Sequence, residues 1–228
     1  MKKTLNIGHR GAKGHLPENT LPSFLKAFLQ NADGIELDVH LCKTGEVVVM
    51  HDFTVDRTTN GTGLVSEISL EDLKKLKVEN QFQIPTLQEV VEIVPPGKLI
   101  NIELKGKNTA EPVLKIIKNT ITNHQFSNDD FLISSFDYDE LREIFRLNSQ
   151  LNLGVLTEDD LETAIEVARE ILAKAIHPNY TLLTPENIKK ITDENFEIFT
   201  WTVNEINDIE TLKKQNITAI ITDFPDRI

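Results

Sequence analysis

From Leu99 to the C-terminus, short apolar runs alternate with longer segments whose apolar residues recur every three or four positions. The runs read as strands over Leu99–Lys105, Phe131–Ser135, Asn152–Leu156, Ala175–His177, Glu197–Val203 and Ala219–Thr222. The segments between them read as helices near Thr109–Ile121, Tyr138–Leu147, Asp160–Leu172, Pro185–Asp193 and Ile206–Lys214. Such an alternation implies a parallel sheet with right-handed crossovers. Adding two earlier runs, eight barrel strands can be counted, at Leu5, Ile35, Ile100, Leu132, Leu153, Ala175, Ile198 and Ile220. That count favours a closed (β/α)8 TIM barrel, of class α/β, over an open sheet, and 228 residues suit one such domain spanning residues 1–228. The chain stops a few residues after the last strand, so the eighth outer helix is expected to be missing or replaced.

The N-terminal third departs from this rhythm. Thr4 to Gly8 is a short apolar run that delivers His9-Arg10-Gly11, and either Asn19 or Thr20 can cap a helix with Leu21, Phe24, Leu25 and Phe28 on its apolar face. A second run, Gly34 to His40, is followed by a turn at Thr44-Gly45 and a third, Val47 to Met50, which ends in His51-Asp52. Residues 54–83 read as an inserted excursion after the second barrel strand, with a capping box opening at Ser69. Its Leu64, Val65, Ile68, Leu70, Leu73 and Leu76 are expected to form a small core of their own. Pro85-Thr86 opens the next helix, which runs to Val94 and is closed by Pro95-Pro96-Gly97.

The strand at Gly34 to His40 carries the chemistry. Side chains two apart share a face, so Ile35, Leu37 and Val39 point one way while Glu36, Asp38 and His40 point the other. Two carboxylates about 6–7 Å apart on one strand repel by roughly 2–3 kcal/mol at an effective dielectric near 20. Taken alone, the run fits a wet edge strand as well as a cation site. Its neighbours tip the balance, because in a barrel of this kind the active site lies at the C-terminal ends of the strands. There the sequence places His9 and Arg10, Glu36 and Asp38, Glu103 and Lys105, Trp201 and Asn204, and Asp223.

Glu36, Asp38 and Glu103 make an oxygen-rich set suited to Mg²⁺ or Ca²⁺, and the lack of an accompanying cysteine or tight histidine pair argues against zinc. Arg10 and Lys105 supply fixed positive charge beside it, the combination that holds a phosphate. The loops after the seventh and eighth strands have no glycine, so no backbone phosphate cradle is signalled there. His9 and His51 end two strand-like runs and suit an acid and a base near neutral pH. His40 ranks below Glu103 as a ligand, His15, His124 and His177 have weaker claims, and Trp201 reads as a pocket wall or as core.

Composition narrows the partners. With 24 basic and 36 acidic residues the net charge is −12, which repels nucleic acid and anionic membranes. The single Cys42 fits a reducing compartment, and no apolar stretch follows the N-terminal lysines that could serve as a signal or membrane span, so a cytoplasmic protein is expected.

Together these residues resemble the glycerophosphodiester phosphodiesterase family. The motifs stand here as His9-Arg10-Gly11, Pro17-Glu18-Asn19-Thr20, Glu36-Leu37-Asp38-Val39, His51-Asp52, Ile84-Pro85-Thr86-Leu87, Ile102-Glu103-Leu104-Lys105, Trp201-Thr202-Val203-Asn204 and Thr222-Asp223. The resemblance implies a (β/α)8 barrel, a divalent cation on Glu36, Asp38 and Glu103, and His9 and His51 as acid and base. It also implies Arg10 and Lys105 on the phosphate, with Glu18 supporting the site. The expected reaction splits a glycerophosphodiester into glycerol 3-phosphate and an alcohol. Direct attack by water and attack by the glycerol 2-hydroxyl through a cyclic phosphate both remain open. The rivals are a lysophospholipase D-like activity of the same fold and a non-catalytic phosphodiester-binding barrel. The short excursion and early C-terminus leave the open side of the barrel to be covered, for which a second copy of the chain, as a homodimer, is one solution.

Overall fold

The computed structural model describes residues 3–123 and 126–228; His124 lies outside them. In chain order the elements are β1 (Leu5–Gly8), α1 (Leu21–Leu29), β2 (Gly34–Leu41), β3 (Val47–Val49), α2 (Leu70–Leu73), α3 (Leu87–Ile93), β4 (Leu99–Leu104) and α4 (Ala110–Asn123). They continue with β5 (Phe131–Ser135), α5 (Tyr138–Leu147), β6 (Asn152–Thr157), α6 (Leu161–Glu170), β7 (Ala175–Pro178), α7 (Pro185–Asp193), β8 (Glu197–Thr200), α8 (Ile206–Lys213) and β9 (Ala219–Thr222). The sheet runs β1-β9-β8-β7-β6-β5-β4-β2, and β1 also pairs with β2, so eight parallel strands close into a barrel. The short β3 lies outside the ring, antiparallel to β2 with Val39 opposite Val49.

The period-2 alternation sorts each strand's side chains. On β2 and β4, Ile35, Leu37, Val39, Ile100, Ile102 and Leu104 face outward and join the core beneath the helices, where all are buried. Inside the ring pack Ile7, Leu132, Ala175, Phe199, Ala219 and Ile221. Beside them lies the His177 imidazole, stacked on Phe199 with ring centroids 5.0 Å apart. Gly154 makes room for it, since a Cβ there would stand 2.3 Å from His177 Nε2. Burial alone pushes this imidazole down to about 3, so it is a neutral core group.

Helix starts follow their caps. Thr20, rather than Asn19, caps α1 by accepting from Ser23 N–H, and Thr86 with Glu89 forms a capping box on α3. The strand expected over Glu197–Val203 ends at Thr200; Trp201 keeps only a bridge to Asn179. The apolar alternation outlasts the ladder there, because Val203 is still buried beyond the point where pairing stops.

In the excursion, Val65 and Leu73 are buried with Cys42, Val48 and Met50 of the β2–β3 region, while Leu64 is 41% exposed. Ile68, Leu70 and Leu76 pack against the same cluster, so the expected small core forms but is shared with the β2–β3 region, and Leu64 is not part of it. In place of an eighth helix, β9 runs into a single 3₁₀ turn, Pro225–Arg227, whose Pro225 carbonyl accepts from Asn6 Nδ2 at 2.7 Å.

Candidate active site

The strand register sets the centre of the site. Asp38 on β2 lies opposite Glu103 on β4, and Glu36 opposite Asn101, so three carboxylates emerge inside the mouth of the barrel. Ligand oxygens of Glu36, Asp38 and Glu103 all lie within 4.8 Å of one another. Glu36 Oε1 and Glu103 Oε1 are buried without a hydrogen-bond partner among the described residues. Carboxylate oxygens crowded together and not satisfied by hydrogen bonds are the environment a hard divalent cation fits. Burial first, then the neighbouring carboxylates Asp38 and Glu103, raises Glu36 well above its usual range. Burial and Asp38 likewise raise Glu103 to about 7.

The two cations stand against this cluster. Arg10 adopts a left-handed φ of 50°, which turns its backbone N–H onto Glu36 Oε2 at 3.0 Å. Its guanidinium donates to Glu18 Oε1 at 2.8 Å and lies 3.3 Å from Asp38 Oδ2. Lys105 Nζ is 3.0 Å from Glu103 Oε1, a charge contact without hydrogen-bond geometry.

His9 and His51 share one arrangement. His9 Nδ1 is 2.6 Å from Asp223 Oδ1, and His51 Nδ1 is 2.6 Å from Asp52 Oδ1. A carboxylate only accepts, so Nδ1 carries the proton and each neutral ring keeps its lone pair on Nε2. His9 Nε2 points toward the acidic cluster, 4.0 Å from Glu36 Oε2. Burial is the largest influence on both rings and holds both below the ordinary histidine value.

A cavity of about 90 Å³ brings together His9, Arg10, Glu36, His51, Glu103, Lys105 and Trp201. It shares Glu103, Lys105 and Phe136 with an outer groove of about 600 Å³ that also carries Phe53 and Asp137. Trp201 meets Phe136 edge-on at 5.6 Å and donates its indole N–H to the His177 carbonyl, so it is a wall. His40 stands apart from the carboxylate cluster: its Nε2 is 3.1 Å from the His51 carbonyl, and its ring packs edge-on to Phe53. His15 pairs with Asp226 at 2.7 Å.

Asn19, Asn204, Asp52 and Asp223 carry roles that the sequence alone does not assign, although Asn204 and Asp223 stand among its strand-end polar residues. Asn19 also has a left-handed φ, 57°, and donates from Nδ2 to Asp38 Oδ2 at 2.9 Å. Asn204 holds Asp223, donating to Oδ2 at 2.8 Å and accepting from its backbone N–H at 2.9 Å. Asp52 likewise follows a strand-like run, the same signal that marks Asp223. Arg57 gave no signal, as its partners include Glu18, 39 positions away.

Fold and site together define a class: a (β/α)8 barrel whose mouth carries three clustered carboxylates that could hold a metal ion, flanked by a pair of aspartate-backed histidines. The glycerophosphoryl diester phosphodiesterase family model matches residues 9–227, and the chain belongs to that family. It is 39% identical to a glycerophosphodiester phosphodiesterase of Caldanaerobacter subterraneus subsp. tengcongensis, over 99% of this chain and 96% of that one. It is 37% identical to one of Bacillus altitudinis, over 97% and 95% of the respective chains. Among solved structures, an Oleispira antarctica phosphodiesterase in complex with the product sn-glycerol-3-phosphate superposes with a TM-score of 0.90 at 27% identity, covering 99% of this chain and 95% of that one. A Thermotoga maritima glycerophosphodiester phosphodiesterase gives 0.82 at 29% identity, covering 99% and 97%. The chain is thus a phosphoric diester hydrolase acting on glycerophosphodiesters. Among the described residues no helix is long and apolar enough to cross a membrane.

Proposed function

We propose that the chain hydrolyses glycerophosphodiesters to glycerol 3-phosphate and a free alcohol, using a divalent cation, Mg²⁺ or Ca²⁺, on Glu36, Asp38 and Glu103, with His9 and His51 as the acid–base pair. The observation that carries this reading is the placement of two aspartate-backed imidazoles on the cavity that holds the carboxylate cluster. The product bound to the Oleispira antarctica relative supports it.

When bound, the cation supplies Lewis-acid polarisation and neutralises charge on the phosphoryl oxygens. Arg10 and Lys105, both lining the cavity, supply the positive charge that binds the phosphate. Glu18 keeps the Arg10 fork aimed by holding Nη1. One histidine, neutral because burial depresses its pKa, takes the proton of the attacking hydroxyl at Nε2. The other returns a proton to the leaving oxygen, its affinity for that proton raised by the negative phosphate beside it. Asp223 and Asp52 fix the ring tautomers and stabilise whichever imidazolium forms. Trp201 and Phe136 wall off part of the cavity from water.

The test is product identity. Glycerophosphocholine incubated with the protein and Mg²⁺ or Ca²⁺ should give glycerol 3-phosphate and choline by ³¹P NMR; phosphocholine and glycerol would place the cleavage on the other ester bond and overturn the reading. One observation favours a second substrate, a lysophospholipid: Phe53 and Phe136, 59% and 41% exposed, both line the outer groove. Release of choline from lysophosphatidylcholine in the same assay tests it.

A further inference from the structure

Arg57 lies in the excursion, outside the cavity, and its guanidinium reaches two carboxylates at once. Nε and Nη2 grip Asp52 at Oδ2 and Oδ1, at 2.6 and 3.0 Å. Nη2 and Nη1 grip Glu18 at Oε1 and Oε2, at 2.7 and 3.2 Å. Each carboxylate already serves a group of the site: Asp52 Oδ1 accepts from His51 Nδ1, and Glu18 Oε1 accepts from Arg10 Nη1. Residues 51–53 form a bend with no strand or helix to hold Asp52 in place. The His51 backbone is tied by His40 through its carbonyl, but among the described residues the ring is hydrogen-bonded only to Asp52.

An exposed ion pair contributes little to stability as a rule, but two-oxygen gripping of a carboxylate by a planar fork fixes orientation as well as distance. Arg57 is anchored for this task. The turn around it is closed by Val55 N–H on the Gly63 carbonyl at 3.0 Å and by Gly63 N–H on Asp56 Oδ2 at 2.9 Å. Glu18, 9% exposed, gives it a fixed point on the loop after β1.

We propose that Arg57 is a positioning residue for His51: by fixing both oxygens of Asp52 it keeps Oδ1 on the imidazole Nδ1 and Nε2 aimed into the cavity, with Glu18 as its anchor. The excursion thereby becomes part of the reacting machinery. The hydrogen bond from Arg57 holds Asp52 well below the usual carboxylate range, and the Arg57 and Arg10 contacts outweigh burial to hold Glu18 at about 2. Both acids therefore stay ionised at working pH. Without Arg57 two like charges converge on one point, and their repulsion draws Asp52 off the imidazole.

The inference rests on His51 belonging to the acid–base pair, so the experiment measures both. Single-turnover rates with enzyme in excess are compared for the wild type, Arg57→Met, His51→Ala and the double variant, alongside steady-state KM and thermal melting. Arg57→Met should lower turnover about 10–100-fold, the range seen for groups that orient a reacting side chain. KM should stay within about threefold. In the His51→Ala background the same change should cost less than about twofold, because the ring it positions is gone. Arg57→Lys, which keeps the charge but cannot grip both oxygens, should recover only part of the loss. Equal losses from Arg57→Met in both backgrounds, a rise in KM with turnover unchanged, or full activity in Arg57→Lys would overturn the proposal. A fully active His51→Ala protein would overturn the reading of His51 itself, and the proposal with it.

Discussion

His9 and His51 follow different strands, β1 and β3, yet each is backed by an aspartate at 2.6 Å, and this repeated pairing decides what single substitutions should do. His9→Ala and His51→Ala should each lower turnover by roughly 10²–10⁴-fold with the melting temperature little changed. Asp223→Asn, which can present an amide N–H where His9 needs an acceptor, should cost about 10²-fold or more through the wrong tautomer. A nitrophenyl diester, whose leaving group departs without a proton, should rescue only the variant that lacks the acid. Rescue of both or of neither would show that the histidines do not divide the work. Much at this scale was legible in the sequence, because His9, Glu36, Asp38, Glu103 and Lys105 are adjacent to strands whose direction the alternation reveals. Asn19 stands in a motif and as a capping candidate, but its role is not legible, since its bond to Asp38 crosses 19 positions and depends on a left-handed backbone no local pattern announces.

At the scale of elements, the helices and strands were legible wherever one face is buried, and the errors fall where alternation and pairing separate. The end of β8 is one such place, where Val203 stays buried although the ladder stops at Thr200. Leu64 is another: its spacing matched a small core, but the excursion packs on Cys42, Val48 and Met50 and leaves Leu64 outside. The fit of Gly154 under His177 was invisible, since it depends on two strands meeting in register inside the ring. It yields a sharp expectation. Gly154→Ala should destabilise the protein by about 1–3 kcal/mol, the usual cost of overpacking a core, measured as a lower denaturant midpoint at unchanged slope. The His177→Ala, Gly154→Ala pair should recover part of the loss, and no recovery would mean the imidazole is not the obstacle.

For the whole molecule the governing fact is a buried acidic cluster in a barrel mouth. Glu36 well above 4.5 and Glu103 at about 7 mean that the metal-free folded chain holds protons which the unfolded chain, near 4.5, releases. The contribution of both is therefore full below about pH 4.5; that of Glu103 is lost as pH rises through about 7, and that of Glu36 as pH rises through its own raised value. His9 and His51, depressed from 6.5, act oppositely and lose stability as pH falls below that value. A bound cation replaces the cluster's protons, so Mg²⁺ or Ca²⁺ should raise the melting temperature more at pH 8 than at pH 5. Equal shifts at both pH values would mean that the cation does not compete with protons at this cluster. The most direct measurement is turnover of glycerophosphocholine by protein stripped with EDTA and then given back Mg²⁺ or Ca²⁺, for the wild type and for Glu36→Ala, Asp38→Ala and Glu103→Ala. Activity should be abolished by the chelator, restored by the cation in the wild type, and absent from all three variants; full activity in excess EDTA, from protein shown to contain no metal, would contradict a catalytic cation on these carboxylates.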